Sequence, residues 1–246
     1  MLNTLLNHRS IRKYTSQEIS DELLNEIIYA GMKASNTGNM QLYSVIATRD
    51  TQLKEQLAPT HFNQPMITGA PVVLTFCADV NRFTKWCNIR NAEVGFDNFE
   101  SFLTATVDTC LFAQNVCLAA EDKGLGICYL GTTTYNADKI SDILNLPKGV
   151  VPITTVTLGY PAEEGVVSDR LPIDGILHKE TYSDYTAEEI NAIYENMEQD
   201  PANDKFVKEN NKENLAQVFA EVRYTKSANE HFSVVMKEYI KRQGLL

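Results

Sequence analysis

Six consecutive residues near the amino terminus, His8-Arg9-Ser10-Ile11-Arg12-Lys13, bring together four cationic or protonatable groups and a hydroxyl. The chain around them is acidic, with 22 Lys and Arg against 32 Asp and Glu and a net charge of -10. Such a cluster asks for an anion, and guanidinium forks beside a serine hydroxyl suit phosphate oxygens. Taken alone, a solvated basic patch is the simpler reading. A second polar cluster, Ser35-Asn36-Thr37-Gly38-Asn39-Met40-Gln41, sets short hydrogen-bonding side chains around a glycine. It could wrap a polar ligand tail, although an ordinary turn between two elements has the same composition.

Other chemistries fail on spacing. Gly124 and Gly126 begin a dinucleotide fingerprint, but Tyr129 stands where the third glycine belongs and a helical pattern, not a strand, precedes them. There is no P-loop, no GxSxG elbow and no Cys placed beside a His, so any nucleotide is held another way and nucleophilic hydrolysis has no machinery. Cys77, Cys87, Cys110, Cys117 and Cys128 contain no CxxC pair. Together with the scattered His8, His61, His178 and His231 they predict no metal site and mostly buried free thiols in a reducing compartment, with Cys110 and Cys117 both in a helix core. No stretch concentrates Lys and Arg as a nucleic-acid or lipid footprint would. Residues 1–8 do not read as a signal peptide, and no apolar run nears the roughly 18 residues that span a bilayer, Ala70–Ala78 coming nearest. The expectation is a cytoplasmic, soluble chain with neither nucleic acid nor membrane as partner.

The elements that must position these groups follow from caps and periodicity. Ser20 caps a helix over 21–33 with Leu23, Leu24, Ile27 and Ile28 at helical spacing. Strands are predicted at 43–48, 72–77, 127–130 and 153–158, the second as a run buried on both faces. A long helix over 100–123 places Leu103, Val107, Cys110, Leu111, Gln114, Cys117 and Leu118 on one stripe and ends at Gly124. A short helix is expected near 139–144, an extended arm over 160–185, and a helix from Thr186, whose Glu189 makes a capping box, to about Met197. Residues 198–217 are polar and read as a solvated helix, an insert or a lid, before Phe232, Val235, Met236, Tyr239 and Ile240 restore a helical stripe.

In order, H-R-S-I-R at His8 to Arg12, the Ser35 to Gln41 loop, F-C-A-D at Phe76 to Asp79 with Asn81-Arg82, V-D-T at Val107 to Thr109 with Ala113-Gln114-Asn115, G-L-G at Gly124 to Gly126, L-G-Y-P-A at Leu158 to Ala162 and R-L-P at Arg170 to Pro172 resemble the nitroreductase superfamily. The nearer branch is that of the major oxygen-insensitive nitroreductases and bacterial flavin reductases. The resemblance implies an α+β fold: a central, mainly antiparallel sheet flanked by helices, one FMN-binding domain over 1–246 with the polar insert around 198–217, and a homodimer with exchanged arms. It further implies tightly bound FMN, NAD(P)H as hydride donor, a ping-pong cycle and a small-molecule acceptor such as a nitroaromatic, quinone or flavin. A dedicated flavin reductase, another superfamily reductase or a non-catalytic flavin binder are the alternatives.

Carried over residue by residue, the resemblance gives His8, Arg9, Ser10 and Arg170 to the FMN phosphate and Arg12 to N1 and O2 of the ring, where reduction leaves negative charge. It gives Ser35, Asn36 and Asn39 of the other subunit to the ribityl and phosphate, Gln64 to the pyrimidine edge, and the backbone of Leu130, Gly131 and Thr132 to the ring. No side chain is assigned as general acid or base. Three positions depart from the branch: Ser168 replaces a lysine, Gly131-Thr132 replaces a double glycine, and residues 198–217 lack arginine, leaving Lys205, Lys208 and Lys212.

Overall fold

A computed structural model describes residues 2–246. Helix α1 (Leu2–Leu6) precedes the basic segment, and Ser20 then caps α2 (Asp21–Gly31), its hydroxyl accepting the Leu23 N–H at 3.2 Å. The sheet is built from β1 (Tyr43–Thr48), β2 (Val72–Asp79), β3 (Gly126–Leu130) and β4 (Val150–Gly159) in the order β1-β2-β4-β3, with every neighbour antiparallel. Every residue of β2 is buried, which accounts for its unbroken apolar run. β1 starts and stops where its alternating pattern does, whereas β2 and β4 extend past their predicted ends. Small and polar residues of those strands, Thr75, Thr155 and Thr157, are as buried as the aliphatic ones beside them.

The chain groups into two units, Met1–Val167 with Phe232–Leu246, and Ser168–His231. In the first, α3 (Thr51–Leu57), α4 (Met66–Gly69), α5 (Asn81–Ile89) and α7 (Ala137–Ile143) are short helices joining the strands. α6 (Phe99–Asp122) lays Phe102, Ala105, Phe112, Ala113, Val116, Cys117 and Ala120 into the core. There Phe112 stacks on Tyr43 with ring centroids 4.3 Å apart and meets Phe76 edge-on at 5.4 Å.

The face of α6 that the periodicity marked as core is mostly exposed. Leu103, Val107 and Leu111 are 46%, 51% and 45% exposed, and Cys110 and Gln114 are exposed beside them. The helix has two apolar faces, and the sequence pattern blends them. Cys110 is therefore not a core residue, although the other four thiols are buried and all five are free. α6, not Ala70–Ala78, is also the segment long and apolar enough by composition to cross a bilayer. Its buried face belongs to the protein core, where Thr109 donates to the Cys77 carbonyl of β2 at 3.2 Å.

In the second unit, α8 (Ala187–Gln199) starts at the predicted capping box, with Glu189 N–H donating to Thr186 Oγ1 at 3.2 Å and Thr186 N–H to Glu189 Oε2 at 2.8 Å. α9 (Pro201–Glu209), α10 (Leu215–Val218) and a π-helical turn at Phe219–Arg223 make up the polar stretch. α11 (Lys226–Arg242) starts here, but from Phe232 on it belongs to the first unit, where Tyr239 and Ile240 are buried with Val151 and Ile153. Of the 160–185 arm, the described secondary structure is an isolated bridge of Pro161 with Tyr14 and a 3-10 turn at Ile173–Gly175.

Candidate functional site

The basic segment lies along β3. Ser10 pairs with Ile127 in a parallel bridge, and Ile11 N–H donates to the Ile127 carbonyl at 2.8 Å. That closeness explains Gly126: a Cβ there would lie 2.7 Å from Ile11 Cβ. Tyr14 fixes the segment from below, its hydroxyl 2.6 Å from the Ile11 carbonyl and 2.7 Å from Thr157 Oγ1. Burial pushes that phenol well above its ordinary range. Glu163 Oε1 accepts the backbone N–H groups of Arg12 at 2.7 Å and Lys13 at 3.2 Å. The backbone from Ile11 to Lys13 is thus engaged while the Arg12 and Lys13 side chains stay exposed.

His8 Nδ1 donates to Glu121 Oε1 at 2.7 Å, which fixes the imidazole and leaves Nε2 for another partner. Glu121 is nearly buried, and its second oxygen has no hydrogen-bond partner. Arg9 and Arg12 are exposed, and among the described residues no carboxylate lies within ion-pair distance of either guanidinium. Two unneutralised guanidiniums in an acidic chain, beside a serine hydroxyl and a fixed imidazole, fit a phosphate monoester.

Beyond Leu130 the strand runs into a 3-10 helix, Gly131–Asn136, which rests on another, Ala58–His61. Asn136 Nδ2 donates to the Thr60 carbonyl at 2.8 Å, and His61 Nδ1 lies 2.8 Å from Thr132 Oγ1. Gln64 N–H donates to the His61 carbonyl at 3.2 Å, closing the turn that follows His61. A Cβ on Gly131 would meet nothing within 4 Å, so the strand end opens onto free space. His61 is fully buried, its Nε2 has no partner, and desolvation pushes it down to about 4.

The Ser35–Gln41 loop is anchored elsewhere. Asp108 Oδ1 accepts from Thr37 N–H at 3.0 Å and from Thr37 Oγ1 at 3.2 Å, and Asn36 Oδ1 accepts Gln41 N–H at 3.3 Å. Asp108 and Glu121 are thirteen residues apart on α6, roughly 20 Å at 1.5 Å per residue. Within one chain the loop therefore does not stand beside His8. Ser35 and Asn39 are exposed, and Asn39 has a positive φ of 56°. Arg82 closes the loop from behind, bonding the Gln41 carbonyl and, at 3.2 Å, that of Tyr43. Asp79 accepts Arg82 N–H at 3.1 Å and the Ser44 hydroxyl, so the F-C-A-D and Asn-Arg residues lock the loop's return into β1. Arg170 belongs to the second unit, exposed, with Nη1 donating to the carbonyls of Ser168 at 2.8 Å and Asp169 at 3.1 Å.

No group of three or more possible metal ligands occurs among the described residues. The second unit holds a cavity of about 540 Å³ edged by His178, Lys179, Asp184, Tyr185 and Glu189, with none of the predicted site residues in its wall.

The model of the Nitroreductase family matches residues 5–160, and the chain belongs to that family of oxidoreductases. It is 33% identical over 184 residues to an FMN reductase (NADPH) of Bacillus subtilis strain 168, covering 74% of each chain. It is 34% identical over 181 residues to an oxygen-insensitive NADPH nitroreductase of Salmonella typhimurium strain LT2, again covering 74% of each. A solved structure from Bacteroides fragilis NCTC 9343 is 56% identical, with a TM-score of 0.97 over 98% of both chains. The expected fold, an antiparallel sheet flanked by helices, is the one observed.

Proposed function

We propose that this protein is an FMN-dependent NAD(P)H oxidoreductase that reduces small flat electrophiles, namely nitroaromatics, quinones or free flavins, as a homodimer. The observation that carries the reading is one strand: β3 runs from exposed, unneutralised cations at its start to an open glycine beside a hydroxyl at its end. Relatives named for FMN reduction and for nitro reduction, both with NADPH, support the cofactor pair and the reaction class.

In this reading His8, Arg9 and Ser10 hold the phosphate, with Arg170 assigned to it as well. Glu121 fixes the His8 ring so that Nε2 is left for the ligand. Arg12 supplies positive charge toward the ring, Gln64 its hydrogen-bonding edge, and Gly131 lets the ring approach the backbone closely. When bound, FMN would supply the two-electron carrier between the nicotinamide and the acceptor. The side chains only bind, orient and stabilise charge, so no general acid or base is assigned.

Two observations support the dimer. The outer stripe of α6 exposes Leu103, Val107 and Leu111 in a row, a surface that a second copy would cover. The Ser35–Asn39 loop sits too far along α6 from His8 to serve the same phosphate, so Ser35, Asn36 and Asn39 of one subunit serve the FMN of the other. A cytoplasmic setting accords with five free cysteines.

FMN titration followed by flavin fluorescence tests the site. The wild-type protein is expected to bind FMN, and the Arg9→Ala/Arg12→Ala variant to bind at least about tenfold more weakly, since charge-assisted hydrogen bonds are being removed. Equal binding by the two proteins, or none by the wild type, would overturn the assignment.

A further inference from the structure

His61 and Thr132 form a buried pair with an unbalanced hydrogen-bond inventory. The imidazole is fully buried, only Nδ1 has a partner, and no polar atom meets Nε2. Burial keeps the ring neutral at physiological pH by pushing it down to about 4, so one nitrogen carries the proton. Placing it on Nε2 would strand a buried donor, whereas placing it on Nδ1 leaves only a lone pair unmet. Nδ1–H therefore donates to Thr132 Oγ1, and the Thr132 hydroxyl proton must find another acceptor. Among the described residues no such acceptor is present. Thr132 is half-buried, next to Gly131 with its open space.

We propose that the Thr132 hydroxyl, turned outward by the buried His61, donates a hydrogen bond to an acceptor atom of the flavin ring, and that His61 is its positioning residue. The inference rests on the FMN reading above and adds a side-chain contact to a stretch otherwise assigned through its backbone. It also gives the departure from a double glycine a use: the side chain that narrows the approach contributes a bond there. The hydroxyl's strength as a donor rises because its oxygen already accepts from an imidazole in a dry environment.

The test compares Thr132→Val, which keeps the shape and removes the hydroxyl, with Thr132→Ser, which keeps it. Each is titrated with FMN, and the visible flavin band and the reduction potential are recorded. Thr132→Val is expected to bind FMN about fivefold more weakly, the net loss of one hydrogen bond, with a shifted band and potential, and Thr132→Ser to stay near wild type in all three. In a double-mutant cycle, His61→Phe should reproduce the Thr132→Val changes and add little to them. Wild-type-like affinity, band and potential in Thr132→Val would overturn the inference while leaving FMN binding intact, and so would equal losses in the valine and serine variants. Failure of the wild type itself to bind FMN would instead remove the reading beneath it.

Discussion

At the scale of single residues, the site depends on groups whose charge is set by what surrounds them. Among the described residues no carboxylate lies within ion-pair distance of the Arg12 guanidinium, so its positive charge is available to a reduced ring. Arg12→Ala should lower the flavin potential and slow reduction by the nicotinamide nucleotide; an unchanged potential in a redox titration would remove that role from Arg12. Glu121→Ala should weaken FMN binding about fivefold by removing the acceptor that holds the His8 ring, read by the same fluorescence titration. His61 makes a pH prediction. An unfolded chain protonates this imidazole as pH falls through about 6.5, whereas the folded protein holds it unprotonated down to about 4. Stability present above that upper value is lost as pH drops between the two, by roughly 3 kcal/mol at about 1.4 kcal/mol per pH unit. Urea midpoints of wild type should therefore fall more steeply across this window than those of His61→Gln, and parallel slopes would contradict it. The contiguous residues of this chemistry, His8 to Arg12, were legible in the sequence because proximity in the chain guarantees proximity in space. Glu121 and His61 were not, since their partners lie 113 and 71 residues away.

At the scale of elements, strands and long helices could be read from their patterns, and of the short helices α7 was expected while α3, α4 and α5 were not. α3, α4 and α5 span four to nine residues each, too few for a periodic stripe to develop. α6 was legible in extent but not in orientation, because apolar residues occupy both its faces and only the packing against Tyr43 and Phe76 decides which is inside. The contact between α2 and α6 yields a prediction against the usual sign. A glycine-to-alanine change in a helix ordinarily stabilises by up to about 1 kcal/mol. A Cβ on Gly31, however, would lie 2.2 Å from Val116 Cγ2 and 3.2 Å from the Val116 backbone nitrogen. Gly31→Ala should therefore destabilise by about 1–3 kcal/mol through overpacking, visible as a lower denaturation midpoint; a raised midpoint would show that the two helices can part without cost.

At the scale of the whole molecule, the exposed α6 stripe and the distance between the Ser35–Asn39 loop and His8 both call for a second chain. Leu111→Glu should place a charge in the proposed interface, convert dimer to monomer in sedimentation and weaken FMN binding in parallel. A variant that stays dimeric and binds FMN normally would put the interface elsewhere. The expectation of a dimer came with the resemblance, because a single chain's pattern does not distinguish a face covered by its own sheet from one covered by a partner. The central claim, that this molecule carries FMN and passes hydride through it, is tested most directly by the absorbance spectrum of the purified protein before and after anaerobic addition of NADH or NADPH. The account predicts a visible flavin band that bleaches within seconds of adding the nucleotide; protein that is colourless and stays so when FMN is supplied would contradict it.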